Sequence, residues 1–247
     1  LNLPLHDTTF EAINSVDRSL LLVWQNPSTR RFVPVAELTH LADGRFSFKY
    51  LPAATETDGF YALVEYPDLR KTYLSDTLPV FFANRVMSPD RYNYRQYLGW
   101  LGLADAEPDT IPVEVLARTG GGRATDTFHI VDRPLRRDAS FMSRFFVSGL
   151  RHVIPAGDDL SFVAEGDQLE LRAQPDNDAN PKAVIVDAAN GRQLGWVPDW
   201  LCGEVSELML DGWELSLAAE RVNPEAPAHT RLLCKLMGKS PRVGQPS

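Results

Sequence analysis

The side chains best able to move a proton or hold a metal in this 247-residue chain are five histidines: His6, His40, His129, His152 and His229. No H-E-x-x-H or G-x-S-x-G arrangement accompanies them, so the order announces neither a zinc hydrolase nor a serine hydrolase. A catalytic triad is assembled in space rather than in sequence, yet nothing in this order suggests one. The adjacent Asp158 and Asp159 read as solvent-facing loop residues. The segment "PDNDAN" sets oxygen ligands at alternate positions, Asp176, Asp178 and Asn180, but it lacks the glycine and terminal glutamate of a calcium loop. Cys202 and Cys234 are far apart and form no C-x-x-C pair, so buried apolar thiols are expected rather than a disulfide or a zinc site. The three glycines 120–122 lack P-loop spacing and its lysine. Beside Arg118 and Arg123 they make either an anion nest or a plain glycine turn. The expectation is a binding protein with no catalytic residues, no metal and no cofactor.

Charge gives the next clue. The chain carries a net −8, which argues against indiscriminate coating of nucleic acid. Its distribution is uneven, however. Arg133, Arg136, Arg137, Arg144 and Arg151 face a single Asp138 within residues 133–151, whereas residues 158–170 hold five acids and no base. A local cationic strip of this kind fits either a short strand-binding site or a solvated loop.

The elements that must carry these residues are mostly strands. "LLLVWQN" (20–26), "RFVPVAEL", "GRFSFKYL" (44–51) and "GFYALVEY" (59–66) are short runs rich in aromatic and β-branched residues, separated by turn-forming Asn-Pro-Ser and Ala-Asp-Gly. In the third run Phe46, Phe48 and Tyr50 share one face. A helix capped by Ser88 or Asp90 follows, with Tyr94, Tyr97, Leu98 and Leu101 at helical spacing. The acidic, proline-broken "ADAEPDTIP" marks a boundary near 105–111. The glycine triplet then stands between runs that read as strands. The last hundred residues read as five or six short strands, with one helix begun by Pro198 and Asp199 and buried through Leu201, Val205, Leu208 and Met209. Such a set suits a small, partly closed barrel. With 44% hydrophobic residues the chain can bury two modest cores. No apolar run approaches the ~20 residues of a membrane span, and "LNLPLHDTTF" lacks the layout of a signal peptide. A cytoplasmic protein is expected.

Three segments in order resemble the HIRAN domain, an OB-like module: Gly149-Leu150-Arg151-His152, residues 177–184, and Gly195-Trp196-Val197-Pro198. Coverage is about residues 127–239. The resemblance implies binding of single-stranded DNA or DNA ends, with the 177–182 loop helping to clamp a terminal nucleotide and its free 3′-hydroxyl. Asn180 stands where the family places aspartate, and Lys182 and Asp178 depart from the usual asparagine and proline. A neutral amide offers donors where a carboxylate only accepts. More loosely, "DGRFSFKYLP" and "YLSDTLPVFFANRVMSPD" resemble the small N-terminal subdomain of HipA-type toxins. No kinase body follows, so that likeness implies an interaction module.

The fold expected is therefore α+β and mostly β, with a HipA-N-like β-rich module and helix over 1–108 and an OB-like HIRAN barrel over 109–247. An OB-like groove needs cations for phosphates and flat rings for bases. Arg144, Arg151 and Lys182 are the candidate cations. Phe146, His152, Trp196 and Trp200 are the candidate faces, and Asn177 and Asn180 follow from the resemblance. Phe145 and Val147 point away from Arg144 and Phe146 on the strand. Phe146 and Trp196 serve equally as barrel core. Two functions from different classes follow. One is a non-enzymatic binder of single-stranded DNA or DNA ends in repair or phage defence. The other is a protein-interaction adaptor or antitoxin-like partner working through the front module, with the face bearing Arg151, Lys182 and Trp196 blocked or negative.

Overall fold

Alternating apolar residues along the first strands decide which face of a sheet is buried. The computed structural model describes residues 18–121, 127–155 and 160–241. Its first sheet contains β1 (Arg18–Gln25), β2 (Phe32–His40), β3 (Phe46–Tyr50), β4 (Tyr73–Ser75) and β5 (Phe128–Asp132). The spatial order is β4-β3-β2-β1-β5, antiparallel throughout. Phe46, Phe48 and Tyr50 are buried on one face, as their spacing predicts, and join Leu20, Leu22, Leu38 and Ile130 in a common core. Pro34 cannot donate to a ladder, and the β1–β2 register shifts beside it, between Leu22 and Val23. A proline in a strand is accommodated at such irregularities.

Four short helices accompany the sheet: α1 (Ala53–Glu56), α2 (Val80–Ala83), α3 (Tyr94–Trp100) and α4 (Ile111–Thr119), of which α1, α2 and α4 contribute to this core. Two expectations fail here. Residues 59–66 are not a strand, because the Tyr50 hydroxyl accepts from the Leu63 N–H at 2.8 Å and donates to the Tyr66 carbonyl at 2.9 Å. The segment is thus held as a loop, with Tyr61 and Val64 in solvent. Ser88 and Asp90 bond each other rather than capping α3, which begins after Asn93. The run before the glycines, which reads as a strand, is helix α4. Pro112 stands in its first turn and Gly120 ends it in the left-handed region at φ 76°. Val113 and Leu116 enter the first core, whereas Val115 turns to a separate cluster with Leu98, Leu101 and Leu103.

The second sheet comprises β6 (Leu135–Arg137), β7 (Ser140–Phe146), β8 (Gln168–Gln174), β9 (Ala183–Ala188), β10 (Gln193–Trp196), β11 (Glu214–Val222) and β12 (Leu232–Lys239). Their order is β10-β9-β8-β11-β12-β7-β6. Ser148, just past β7, exchanges two backbone hydrogen bonds of 2.9 Å with Trp196 at the other end of the sheet. The sheet therefore closes on itself as a barrel. Helix α5 (Leu150–Val153) lies at the closing seam, and α6 (Asp199–Leu210) buries Leu201, Cys202, Val205 and Leu208 against the barrel core. Met209, expected in that stripe, is half-buried at its margin. Both cysteines are free and buried, and burial pushes each thiol up from its ordinary value. The mostly-β α+β class is as expected. The boundary expected at 108/109 falls before α4, which packs in the first core, and before β5, which pairs with β1.

Two carboxylates of the first unit make a pH prediction. Burial alone raises Glu37, but Arg133 and Lys49 outweigh it and hold the carboxyl below its ordinary value. Burial likewise opposes Glu114, and Arg18, then Arg118, bring it down. A depressed folded pKa contributes stability that is complete above the unfolded value and is lost as pH falls through the folded one. The melting temperature is expected to hold steady above about pH 5 and to fall towards pH 3. Glu37→Gln should flatten part of that fall; an unchanged slope would show that the Arg133–Glu37–Lys49 group is not what acid breaks.

Candidate nucleic-acid interface

The seam that closes the barrel also borders an open cleft. After Ser148 the chain turns through Gly149 at φ 70° into α5. Leu150 anchors this turn in the core, and Arg151 and His152 are left exposed. The Arg151 guanidinium donates to His152 Nε2 at 3.1 Å, and among the described residues it has no carboxylate partner. They are thus presented from a helical turn, not from the strand end that the sequence suggests.

The opposing strand brings Trp196. Its indole lies directly over Gly149, where an added Cβ would come within 2.8 Å of the ring. Its Nε1 donates to Gln174 Oε1 at 2.9 Å. The indole is half-buried, one side covered by the turn. Trp200, in the first turn of α6, rests partly on the barrel core. Arg151, His152, Trp196 and Trp200 all line one cleft of about 750 Å³. This is within the size range of small-ligand sites, about 300–1,000 Å³. Both units line the cleft: Phe32, the end of α4 and His129 from the front unit, and Ala228 and His229 from the barrel unit beside the seam residues.

Arg144 and Phe146 also line this cleft, and both make further contacts. Arg144 Nε donates to both oxygens of Glu220, at 2.8 and 3.1 Å. Its charge also acts on Glu114 and Asp132. These groups, with Arg18 and Arg118, form a balanced ionic network across the junction of the units. Phe146 rests on the Leu98, Leu101, Leu103 and Val115 cluster of the first unit. As expected, Phe145 and Val147 face the barrel core. The outer face of β7 thus packs in part against the front unit and in part borders the cleft.

Three further expected residues stand outside the cleft lining. Lys182 is paired with Glu207 at 2.8 Å on the exposed side of α6. Asn177 Oδ1 accepts from the Ala179 and Asn180 N–H groups at 3.0 and 3.1 Å. Asn180 Nδ2 donates to Asp199 Oδ1 at 2.6 Å and to Cys202 Sγ at 3.1 Å. The two asparagines therefore brace the 177–182 loop against the start of α6. The asparagine at 180 fits because its neighbours there are acceptors that an amide can donate to and a carboxylate could not. Gly122 and Arg123 of the suggested anion nest, and the Asp158-Asp159 pair, lie outside the described residues. Among the described residues no group of three or more His, Cys, Asp or Glu gathers as a metal site, and no helix is long and apolar enough to cross a membrane.

Residues 140–240 match the profile of the HIRAN domain. The match opens at the first residue of β7 and closes just after β12, so it contains the seam and the barrel wall of the cleft. The crystallised HIRAN domain of human HLTF is 20% identical, covering 41% of this chain and 78% of that one, with a TM-score of 0.31. A crystallised protein from Lactobacillus plantarum is 18% identical, covering 44% of this chain and 95% of that one, with a TM-score of 0.34. No curated protein matches the chain. The front sheet lies outside the matched residues, and the resemblance of that half to the HipA subdomain is not supported.

Proposed function

We propose that this chain binds single-stranded DNA, at a strand end, in the cleft beside the barrel seam, and performs no chemistry on it. The observation that carries this reading is the exposed Arg151 guanidinium, without a carboxylate partner among the described residues, set beside the rings of His152, Trp196 and Trp200. Phosphate takes a charge-assisted hydrogen bond from a guanidinium, and a base stacks on flat rings whatever its sequence. Asp199, exposed at the cleft, keeps one oxygen on Asn180. A carboxylate there repels an internal phosphodiester and accepts from a terminal hydroxyl, which favours a free 3′ end. The match of residues 140–240 to the HIRAN profile supports nucleic-acid binding, and the setting we propose for it is repair or phage defence in the cytoplasm.

The adaptor reading requires the face with Arg151, Lys182 and Trp196 to be blocked or negative. Lys182 is paired with Glu207, but Arg151 and Trp196 line an open cleft, which favours strand binding.

Fluorescence anisotropy with a short labelled oligonucleotide tests the proposal. Affinity is expected at micromolar or better in low salt, falling as salt rises because phosphate contacts release counterions. A 3′-phosphorylated strand should bind more weakly than one with a free hydroxyl. Absence of binding to any strand at low salt rejects the reading; equal binding of both ends rejects only the end preference.

A further inference from the structure

Part of the lining of the cleft that holds Arg151 belongs to the front unit, outside the residues of the HIRAN match. Phe32 opens β2, and His129 lies on β5, the edge strand of the first sheet. Their rings meet edge to face, with centroids 5.1 Å apart and planes at 61°. Both are half-buried, so neither is sealed in the core of the front sheet. His152 and Trp200 of the barrel line the same cleft.

A junction that existed only to join two units would fill with side chains, as protein interiors do. Here aromatic rings from both units border about 750 Å³ of open space. The charged side chains lining it are Arg118, Arg144 and Arg151, with Asp199 as the one carboxylate among the described residues. That is the arrangement a nucleotide requires: flat apolar walls for the base and cations at the rim for phosphate. We infer that Phe32 and His129 form the second wall of the strand site, and that the base at the strand terminus is held between the two units. This rests on the strand-binding reading above and adds that the barrel alone is an incomplete site.

The full chain would be titrated with a single-stranded oligonucleotide ending in 2-aminopurine, following both anisotropy and 2-aminopurine emission. Phe32→Leu keeps an apolar side chain but removes the ring, and is expected to weaken binding about tenfold. It should also relieve the quenching of the terminal base. Phe32→Tyr should restore both signals, which a merely structural role for residue 32 would not require. If Phe32→Leu lowers the melting temperature, His129→Leu carries the same test from the neighbouring strand. Should Phe32→Leu and His129→Leu bind and quench as the unaltered chain does while Arg151→Ala loses affinity, the second wall is refuted and the strand-binding reading stands. If the unaltered chain binds no strand, that reading falls and takes this inference with it.

Discussion

Arg151→Ala is expected to lower affinity for a short single strand by about ten- to a hundredfold and to leave the melting temperature within a degree or two. A hydrogen bond to a charged group contributes about 1.5–3 kcal/mol, and each 1.4 kcal/mol is a factor of ten in affinity. The fold does not depend on this side chain: it is exposed, and its contact is with His152. Leu150 beneath it holds the turn. The slope of affinity against salt should also fall by about one phosphate contact. Trp196→Ala is the less clean probe of the cleft. Its indole covers Gly149 and anchors Gln174, so truncation disturbs the seam as well as the ring. An Arg151→Ala chain that melts normally and binds as tightly as before would remove the basis of the proposed site.

Gly195→Ala is expected to destabilise the barrel by roughly 3–5 kcal/mol, summing a positive-φ strain with overpacking. Gly195 lies at φ 151° at the seam, and its backbone is pressed against the Ser148 carbonyl. A Cβ there would overlap that oxygen and come within 2.7 Å of Val147 Cγ1. Neither neighbour can retreat easily. Ser148 is held by its own bonds to Trp196, and Val147 is buried in the barrel core. A domain has only about 5–15 kcal/mol in total, so the variant should unfold at markedly lower urea. Hydrogen exchange locates the damage: the Ser148 and Trp196 amides should lose protection before those of β8 and β9. A variant with the original urea midpoint would mean that the seam tolerates a gap.

The contrast between these two variants shows what the sequence could reveal. Gly195-Trp196-Val197-Pro198 and Gly149-Leu150-Arg151-His152 were both visible as matched segments, and they do meet across the seam. Strands β3, β8, β9 and β12 were legible because their apolar spacing is local. Helix α4 resembles a strand in sequence because Val113, Val115 and the residue between them alternate as a strand does. Pro112 near its start and Gly120 at its end are its helical signals. The alternation along β7 puts Arg144 and Phe146 on its outer side, and Phe146 there packs against the front unit. No local pattern announces such a contact, since it depends on residues more than thirty positions away. For the same reason the sequence shows Phe32 only as part of a strand and His129 only as one histidine among five.

The position of β1 in the first sheet has a consequence for how the chain is made. It lies between β2 and β5, and Leu20 is opposite Asp132. During synthesis one edge of β1 must therefore wait for more than a hundred further residues to leave the ribosome. Pairings so remote in sequence form slowly because the intervening loop must be closed first. Until then an apolar strand carrying Leu20, Leu22 and Trp24 stands with an unpaired edge, open to pairing with another nascent chain. Pauses in translation before residue 128 should accordingly favour aggregation, and pauses after residue 132 should not.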